Sequence, residues 1–377
     1  MSNELSQKGG VNILFIVNHL NAGGISSYLF TLASGLKEKG HNVYVASSGG
    51  DLLDKFSKAG ITHIWVPLRT KSEVSPKIIF SFFKLSMQVK KLNIDLLHSN
   101  SRTTQVLGDL LSRYRGIAHV FTCHGFFKPK LSRRFFPCWG EAVVAISLQV
   151  KEHLILDFKL DERKISVINN GIDTGNFGDF SAREKMRKDL DVNDVFLVGI
   201  IARLSDVKGH IYLIRAMRNV IKSFPSAKLL IIGQGKMKPA LLKEVNDLGI
   251  KDNVSFLPEA ENTRDVLAAM DVFVMPSLQE GLGLALMEAM AQGLAVVGSS
   301  VGGIKTLIQD KHNGLLVAPK DVAGLTQAII KLLSEPALRC DLGKNARKFI
   351  MDNFSREKMA EQTERAYLKC LESRKAR

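Results

Sequence analysis

Cysteine is scarce in this sequence. Its four cysteines, Cys123, Cys138, Cys340 and Cys370, form no C-x-x-C pair. That excludes a zinc knuckle or a thioredoxin-type dithiol and leaves free thiols in a reducing cytosol as the simple expectation. The nine histidines include no H-E-x-x-H, so no zincin-type metal site is encoded. Long apolar runs are also missing. The longest, such as Val195 to Ala202, are the size of buried strands, well short of the roughly 18 residues that span a bilayer. The run Ile13 to Val17 is too short for a signal-peptide core of about 7–15 residues. Neither an integral membrane protein nor a secreted one is expected. With 45% hydrophobic and 24% charged residues, the composition excludes a disordered or fibrous chain.

Positive charge is abundant. Lys+Arg number 52 against 37 Asp+Glu, a formal net charge of +15. Thirteen basic and three acidic residues lie between Arg69 and Cys138, so most of the excess sits in one stretch of the first half.

The apolar pattern predicts an α/β protein. Short β-rich runs alternate with helical ones from Val11 to Asn169, and the alternation restarts at Phe196. The strands are continuously apolar rather than alternating, as in parallel sheets covered on both faces. The length of 377 residues suits two such domains in tandem. The seam is expected near Gly171 to Val195, where a turn-rich segment precedes a short charged helix. Two doubly wound sheets facing each other would place a cleft between the carboxyl ends of their strands, and the candidate chemistry does lie just after strands.

Gly23-Gly24 follows the first strand and opens a helix, where bare N–H groups can face an anion, though a tight turn alone would also use two glycines. Gly233-Gln234-Gly235 follows a strand, but Lys238 breaks the dinucleotide fingerprint. Gly235-Lys236 and Gly343-Lys344 lack the following Ser or Thr of a phosphate-binding nucleotidase loop. NAD and Walker-type ATP chemistry are therefore poorly supported. Arg203 and Lys208 bracket a strand end and a helix start, and two cations beside a helix N-terminus suit a bound diphosphate. Pro276 to Ala289 reads as a strand end, a glycine-bearing turn and a helix start, with Glu280 on the loop and Glu288 about two turns in. Carboxylates accept hydrogen bonds from sugar hydroxyls, and the N–H groups near Gly281, Leu282, Gly283 and Leu284 can face phosphate.

The ordered set Gly23-Gly24, His124-Gly125, Asn170-Gly171-Ile172-Asp173, Arg203 with Lys208-Gly209, Gly233-Gln234-Gly235, Glu280-Gly281-Leu282-Gly283 with Glu288-Ala289, and Gly302-Gly303-Ile304 resembles the retaining GT-B glycosyltransferases of family 4. The resemblance runs from about Val11 to Tyr367. It implies two Rossmann-like domains facing across a cleft: 1–172 binding the acceptor, 173–354 binding the nucleotide sugar, and 355–377 a helix packing back towards the first domain. It further implies that Arg203 and Lys208 clamp the diphosphate and that Glu288 holds the ribose. Glu280 with the amides after it would hold the transferred sugar, His124 would contact that sugar, and Gly23, Gly24, Asn170, Gly233 and Gly235 would line the substrates.

The implied enzyme is a hexosyltransferase-type, retaining and metal-independent transferase. It would use a nucleotide diphosphate sugar, a UDP-sugar by preference, as substrate, need no cofactor, and act in envelope polysaccharide or lipopolysaccharide assembly. Asp189-Leu190-Asp191 has the D-x-D form of some metal sites but is most simply a solvated stretch.

The segment Phe126 to Trp139 interleaves aromatics with cations and holds no acid, a composition suited to an anionic membrane surface. The alternative is an acceptor loop packing its aromatics inward. Pro76 to Leu92 repeats the theme, with a sheet-covering amphipathic helix as its alternative. The expected partners are thus a nucleotide sugar, a saccharide or lipid-linked acceptor and the inner face of the cell membrane, with no nucleic acid and a cytoplasmic, peripheral location. The competing readings are a sugar-nucleotide epimerase or other GT-B enzyme, and a non-catalytic protein binding through its basic surface.

Overall fold

A computed structural model describes residues 10–375 apart from 22, 71, 74, 128–132, 134, 135 and 259–261. The chain divides into two compact units: one from the residues through Gly171 together with those from Arg356 onward, the other from Ile172–Ser355.

The first unit runs β1 (Asn12–Ile16), α1 (Gly24–Glu38), β2 (Asn42–Ser47), α2 (Leu53–Lys58), β3 (Thr62–Trp65), α3 (Pro76–Lys91), β4 (Leu96–Ser99), α4 (Arg102–Arg115), β5 (Ala118–Cys123), β6 (Ala142–Ala145), α5 (Leu148–Phe158) and β7 (Ile165–Val167). Its seven strands are all parallel in the order β3-β2-β1-β4-β5-β6-β7. The central strand shows why the sequence reads as a continuous apolar run. Ile13 and Phe15 point to one face, where they meet Leu29 and Leu32 of α1, while Leu14 and Ile16 point to the other, against Leu85 and Val89 of α3 and Leu107 of α4.

The second unit continues with α6 (Arg183–Asp189), β8 (Leu197–Ile201), α7 (His210–Ser223), β9 (Lys228–Ile232), α8 (Lys238–Asp247), β10 (Val254–Leu257) and α9 (Thr263–Ala269). It ends with β11 (Val272–Met275), α10 (Leu284–Gln292), β12 (Ala295–Ser299), α11 (Ile304–Leu307), β13 (Leu315–Val317), α12 (Val322–Ser334) and α13 (Pro336–Asn353). The parallel order is β10-β9-β8-β11-β12-β13. The final helix, α14 (Arg356–Lys375), packs on the first unit, placing Met359 and Tyr367 in the core beside Tyr28 of α1. In each sheet the strand order reverses once, between β1 and β4 and between β8 and β11. Those are the places where a parallel sheet leaves room for a ligand.

The short charged helix at the seam is α6, and it is fastened rather than merely solvated. Arg183 donates to the carbonyls of Ala268 (2.7 Å) and Met270 (2.9 Å) and pairs with Asp271 at 2.6 Å. Arg187, buried, donates to Ala269 O at 2.8 Å, to the Asn193 and Val195 carbonyls, and to Asp271 Oδ2 at 3.3 Å. Asp271 Oδ2 also accepts the Leu197 N–H at 2.8 Å, so one carboxylate ties α6 to the starts of β8 and β11. Asp189 and Asp191 stay exposed.

Removing one partner from a buried ionic cluster leaves the other desolvated and unpaired. Arg187→Met is expected to cost about 3 kcal/mol of unfolding free energy in urea titration. Arg163→Met, which breaks only the exposed Arg163–Asp161 pair, is expected to leave the transition where it is.

Candidate active site

In the second unit the loops after β8 and β9 are zipped together. Ala202 N–H donates to Ile232 O at 3.0 Å and Leu204 N–H to Gln234 O at 2.9 Å. This closeness demands the two glycines: a Cβ on Gly233 would lie 2.1 Å from Ala202 O, and one on Gly235 would lie 2.2 Å from Leu204 O. Arg203, between the two zipped residues, is exposed and has no carboxylate partner among the described residues. A single 3₁₀ turn, Asp206–Lys208, then leads through Gly209 into α7.

The loop after β11 is held from two sides. Leu278 N–H donates to Val207 O at 2.8 Å, and Glu280 O accepts the Gly303 N–H at 3.0 Å. Leu282 is buried and anchors the turn, and Gly283, with φ +94°, caps α10. The first amides of α10, at Leu284, Ala285 and Leu286, have no partner within the helix, and its first turn carries no acid. The loop therefore offers anion-binding amides.

Sequence reasoning assigned Lys208 and Glu280 to different parts of a ligand, and the structure brings them together. Lys208 Nζ lies 2.5 Å from Glu280 Oε2, with Ser277 Oγ donating to the same oxygen at 3.4 Å. Glu288 is the fifth residue of α10 and half-buried, a little over one turn in rather than two, because the helix begins only at Leu284. Arg203, Lys208, Gly233, Gly235, Glu280, Gly281, Leu282, Gly283, Leu284 and Glu288 thus share the carboxyl-end side of this one sheet.

In the first unit Gly23 caps α1 and Gly24 begins it, with no acid in that first turn. A cavity of about 460 Å³ opens where the strand order reverses, lined by Asn18, His19, Ile25, Arg69, Asn100 and Ser101. His124 directly follows β5, and its Nε2 is 3.0 Å from Asn100 Oδ1. An amide oxygen only accepts, so Nε2 carries the proton and Nδ1 is left as an acceptor. Burial pushes the His124 ring down to about 3, so it works neutral. Asn170, three residues beyond β7, is buried, and its Oδ1 has no partner among the described residues.

Sequence reasoning missed what supports His124. Its ring meets Tyr28 edge-on at 4.6 Å, and Tyr28 OH lies 3.2 Å from Thr122 Oγ1. Thr122 is 2.6 Å from His98 Nε2, and His98 Nδ1 pairs with Tyr367 OH on α14. Polar residues inside the buried strands β4 and β5 were the available signal; Tyr367 gave none, lying far along the chain. Burial lowers His98 well below the usual histidine range, brings His119 to about 3, and raises the Tyr28 and Tyr367 hydroxyls.

The expected membrane segment Phe126 to Trp139 lies partly outside the described residues, at 128–132, 134 and 135. Of its described aromatics, Phe126 meets His153 edge-on at 5.3 Å, Phe127 lies 6.3 Å from Phe121, and Trp139 is buried between Phe121 and Phe158. Phe136 is exposed. Among the described residues no three His, Cys, Asp or Glu converge to hold a metal ion.

Comparison with known proteins matches residues 182–349 to the family Glycosyl transferases group 1 and residues 22–176 to Glycosyltransferase Family 4. The chain is 29% identical to an uncharacterized glycosyltransferase of Methanocaldococcus jannaschii, over 92% of this chain and 94% of that one. It is 26% identical to the Escherichia coli UDP-Gal:alpha-D-GlcNAc-diphosphoundecaprenol alpha-1,3-galactosyltransferase, over 78% and 79% of the two chains. Its fold superimposes on Anabaena HepE, solved in complex with UDP and glucose, with a TM-score of 0.84 and 21% identity, covering 95% of this chain and 99% of that one.

The buried histidines carry a pH signature. His98, His119 and His124 all have folded values below the unfolded one near 6.5, so the folded state binds fewer protons. Their stabilising contribution is fully present above pH 6.5 and is lost as the pH falls towards 3. Urea titrations from pH 7.5 to 4.5 should show unfolding free energy falling by up to about 1.4 kcal/mol per pH unit for each histidine. A flat dependence would contradict neutral burial.

Proposed function

The chain belongs to the glycosyl transferases group 1 of family 4, with the GT-B fold, and we propose that it moves a hexosyl-type group from a UDP-sugar to a saccharide or lipid-linked acceptor in envelope polysaccharide or lipopolysaccharide assembly. The observation that carries this reading is the convergence of Arg203, Lys208, Glu280 and the free amides of α10 on interlocked loops. A UDP donor is supported by the galactosyltransferase relative, whose name specifies UDP-Gal, and by the complex of Anabaena HepE with UDP and glucose. The lipid-linked acceptor is supported by the same relative, which acts on a diphosphoundecaprenol sugar.

In this reading the bond from the anomeric carbon to the diphosphate breaks while the acceptor oxygen bonds to that carbon on the same face. The acceptor hydroxyl proton passes to the departing phosphate oxygen, and configuration is retained. Arg203 and Lys208 stabilise the charge growing on the diphosphate without a metal ion, and the α10 amides add their dipoles. Lys208 is shared with Glu280, so the carboxylate both positions the ammonium and remains an acceptor for a sugar hydroxyl. Glu288 is assigned to the ribose. His124, neutral with Nδ1 unprotonated, accepts a hydrogen bond from the sugar rather than protonating it.

The acceptor is assigned to the first unit, with Gly23, Gly24 and Asn170 among its contacts. Arg69 in the cavity wall has no carboxylate partner among the described residues, which suits a phosphate-bearing acceptor. A cytoplasmic site peripheral to the membrane is part of the same proposal, supported by the lipid-linked acceptor in the galactosyltransferase relative's name.

Two single variants test the donor site. Arg203→Ala should lower UDP release from the preferred UDP-sugar by about 100-fold, as removal of a transition-state donor does elsewhere, and Glu280→Gln, which releases Lys208 from its anchor, by a similar order. Turnover should persist in EDTA. The preferred donor is found by thermal shift against UDP-, GDP- and ADP-sugars, since a bound donor stabilises the fold by mass action. Full turnover in both variants would refute the site.

A further inference from the structure

Helix α3 has two apolar faces, and the fold covers only one. Ile78, Ser81, Leu85 and Val89 are buried against the sheet. Half a turn round the axis, Ile79, Phe80, Phe83 and Met87 stand 57–64% exposed. A surface helix ordinarily turns polar residues to solvent on that side. The exposed stripe is wider than one helix. On one flank Lys84 Nζ stands 5.0 Å from the ring of Trp65, itself exposed at the end of the edge strand β3. On the other flank Phe82 joins Phe83 at 5.5 Å to the exposed Tyr114 of α4 at 5.3 Å, with Arg115 over the Tyr114 ring.

The charge around this patch has one sign. Lys77, Lys84, Lys90, Lys91 and Arg115 surround it, and none has a carboxylate partner among the described residues. No acid occurs from residue 75 to residue 94.

We propose that this three-element face, the outer side of α3 with Trp65 and Tyr114, docks on an anionic lipid bilayer. Aromatic and aliphatic side chains enter the headgroup boundary while the amines meet lipid phosphates, which is how an interfacial helix is held. Four of the five cations are lysines, a residue that protein–protein interfaces disfavour, so a bilayer fits better than a second copy of the chain. The apolar centre offers nothing to a nucleic-acid backbone. The docking face also connects to the candidate acceptor cavity, because Lys77 Nζ donates to the carbonyl of Arg69 at 3.4 Å, and Arg69 lines that cavity. Docking would hold the cavity wall near the headgroup layer. The inference stands independently of the donor chemistry.

The test is sedimentation of the full chain with vesicles of phosphatidylglycerol and phosphatidylcholine, against phosphatidylcholine alone. Wild-type protein should partition at least about tenfold more strongly onto the anionic vesicles, and high salt should weaken this, since each near-surface lysine contributes about fivefold. The double variant Phe80→Glu with Phe83→Glu should lose binding by at least about tenfold while keeping its thermal shift with the UDP-sugar. Trp139 is buried, so the wild-type emission should move to the blue through Trp65, and Trp65→Phe should abolish the move. If the glutamate variant fails to fold, Lys84→Gln with Lys91→Gln replaces it and should weaken anionic binding alone. Equal partition onto both vesicles, or variants that bind as wild type, would overturn the proposal. So would a wild-type dimer, seen by light scattering, that the same substitutions dissolve. Failure of UDP-sugar binding with vesicle binding intact would count against the donor reading only.

Discussion

The contact between Lys208 and Glu280 organises the candidate site of the second unit. A bare carboxylate beside a prospective diphosphate would repel it, and a bare ammonium would have no fixed position. At 2.5 Å each settles the other, and two loops that leave neighbouring strands are locked in register by the Leu278–Val207 hydrogen bond alongside. The glycines after β9, the buried Leu282 and the Gly303 amide on the Glu280 carbonyl all serve to keep those loops in place. The Asp271 cluster below them fixes the starts of the same two strands, β8 and β11, so the site is held at both ends of the strands that carry it.

The first unit solves a related problem with neutral groups. Its polar residues are buried in an all-parallel sheet, where a charge would be costly to desolvate. Burial keeps His98, His119 and His124 uncharged, and hydroxyls for the first two and an amide oxygen for the third take the place of ion pairs. The result is a histidine at the end of β5 that is fixed in tautomer by Asn100 and in tilt by Tyr28, without a counter-ion.

The architecture was legible because it depends on local periodicity. Strands such as Asn12–Ile16 carry apolar residues on both faces, and most are followed by a helix, the pattern of a covered parallel sheet. The candidate loops were legible for the same reason, since they are glycine-rich breaks just after strands. Pairings between distant residues were not. Lys208 and Glu280 lie 72 positions apart, and His98 and Tyr367 lie 269 apart, and neither pair has a spacing that a periodic reading detects. The depth of Glu288 in its helix was misjudged because Gly283, not an earlier residue, sets the start of α10. The two basic aromatic segments looked alike in composition. Structure separates them: Phe126, Phe127 and Trp139 find ring neighbours within the first unit, whereas the second apolar stripe of α3 stays exposed, because the first already occupies the sheet.

The return of α14 to the first unit has a consequence for how the polypeptide is made. Tyr367 and Met359 complete a core that otherwise ends at Gly171, with the whole second unit inserted between. During synthesis the ribosome releases the second unit entire before it releases the helix that the first unit requires. The half that emerges first is therefore the last able to finish folding: Tyr28 already has Thr122 as its partner, but Nδ1 of His98 waits for the Tyr367 hydroxyl until α14 has left the exit tunnel.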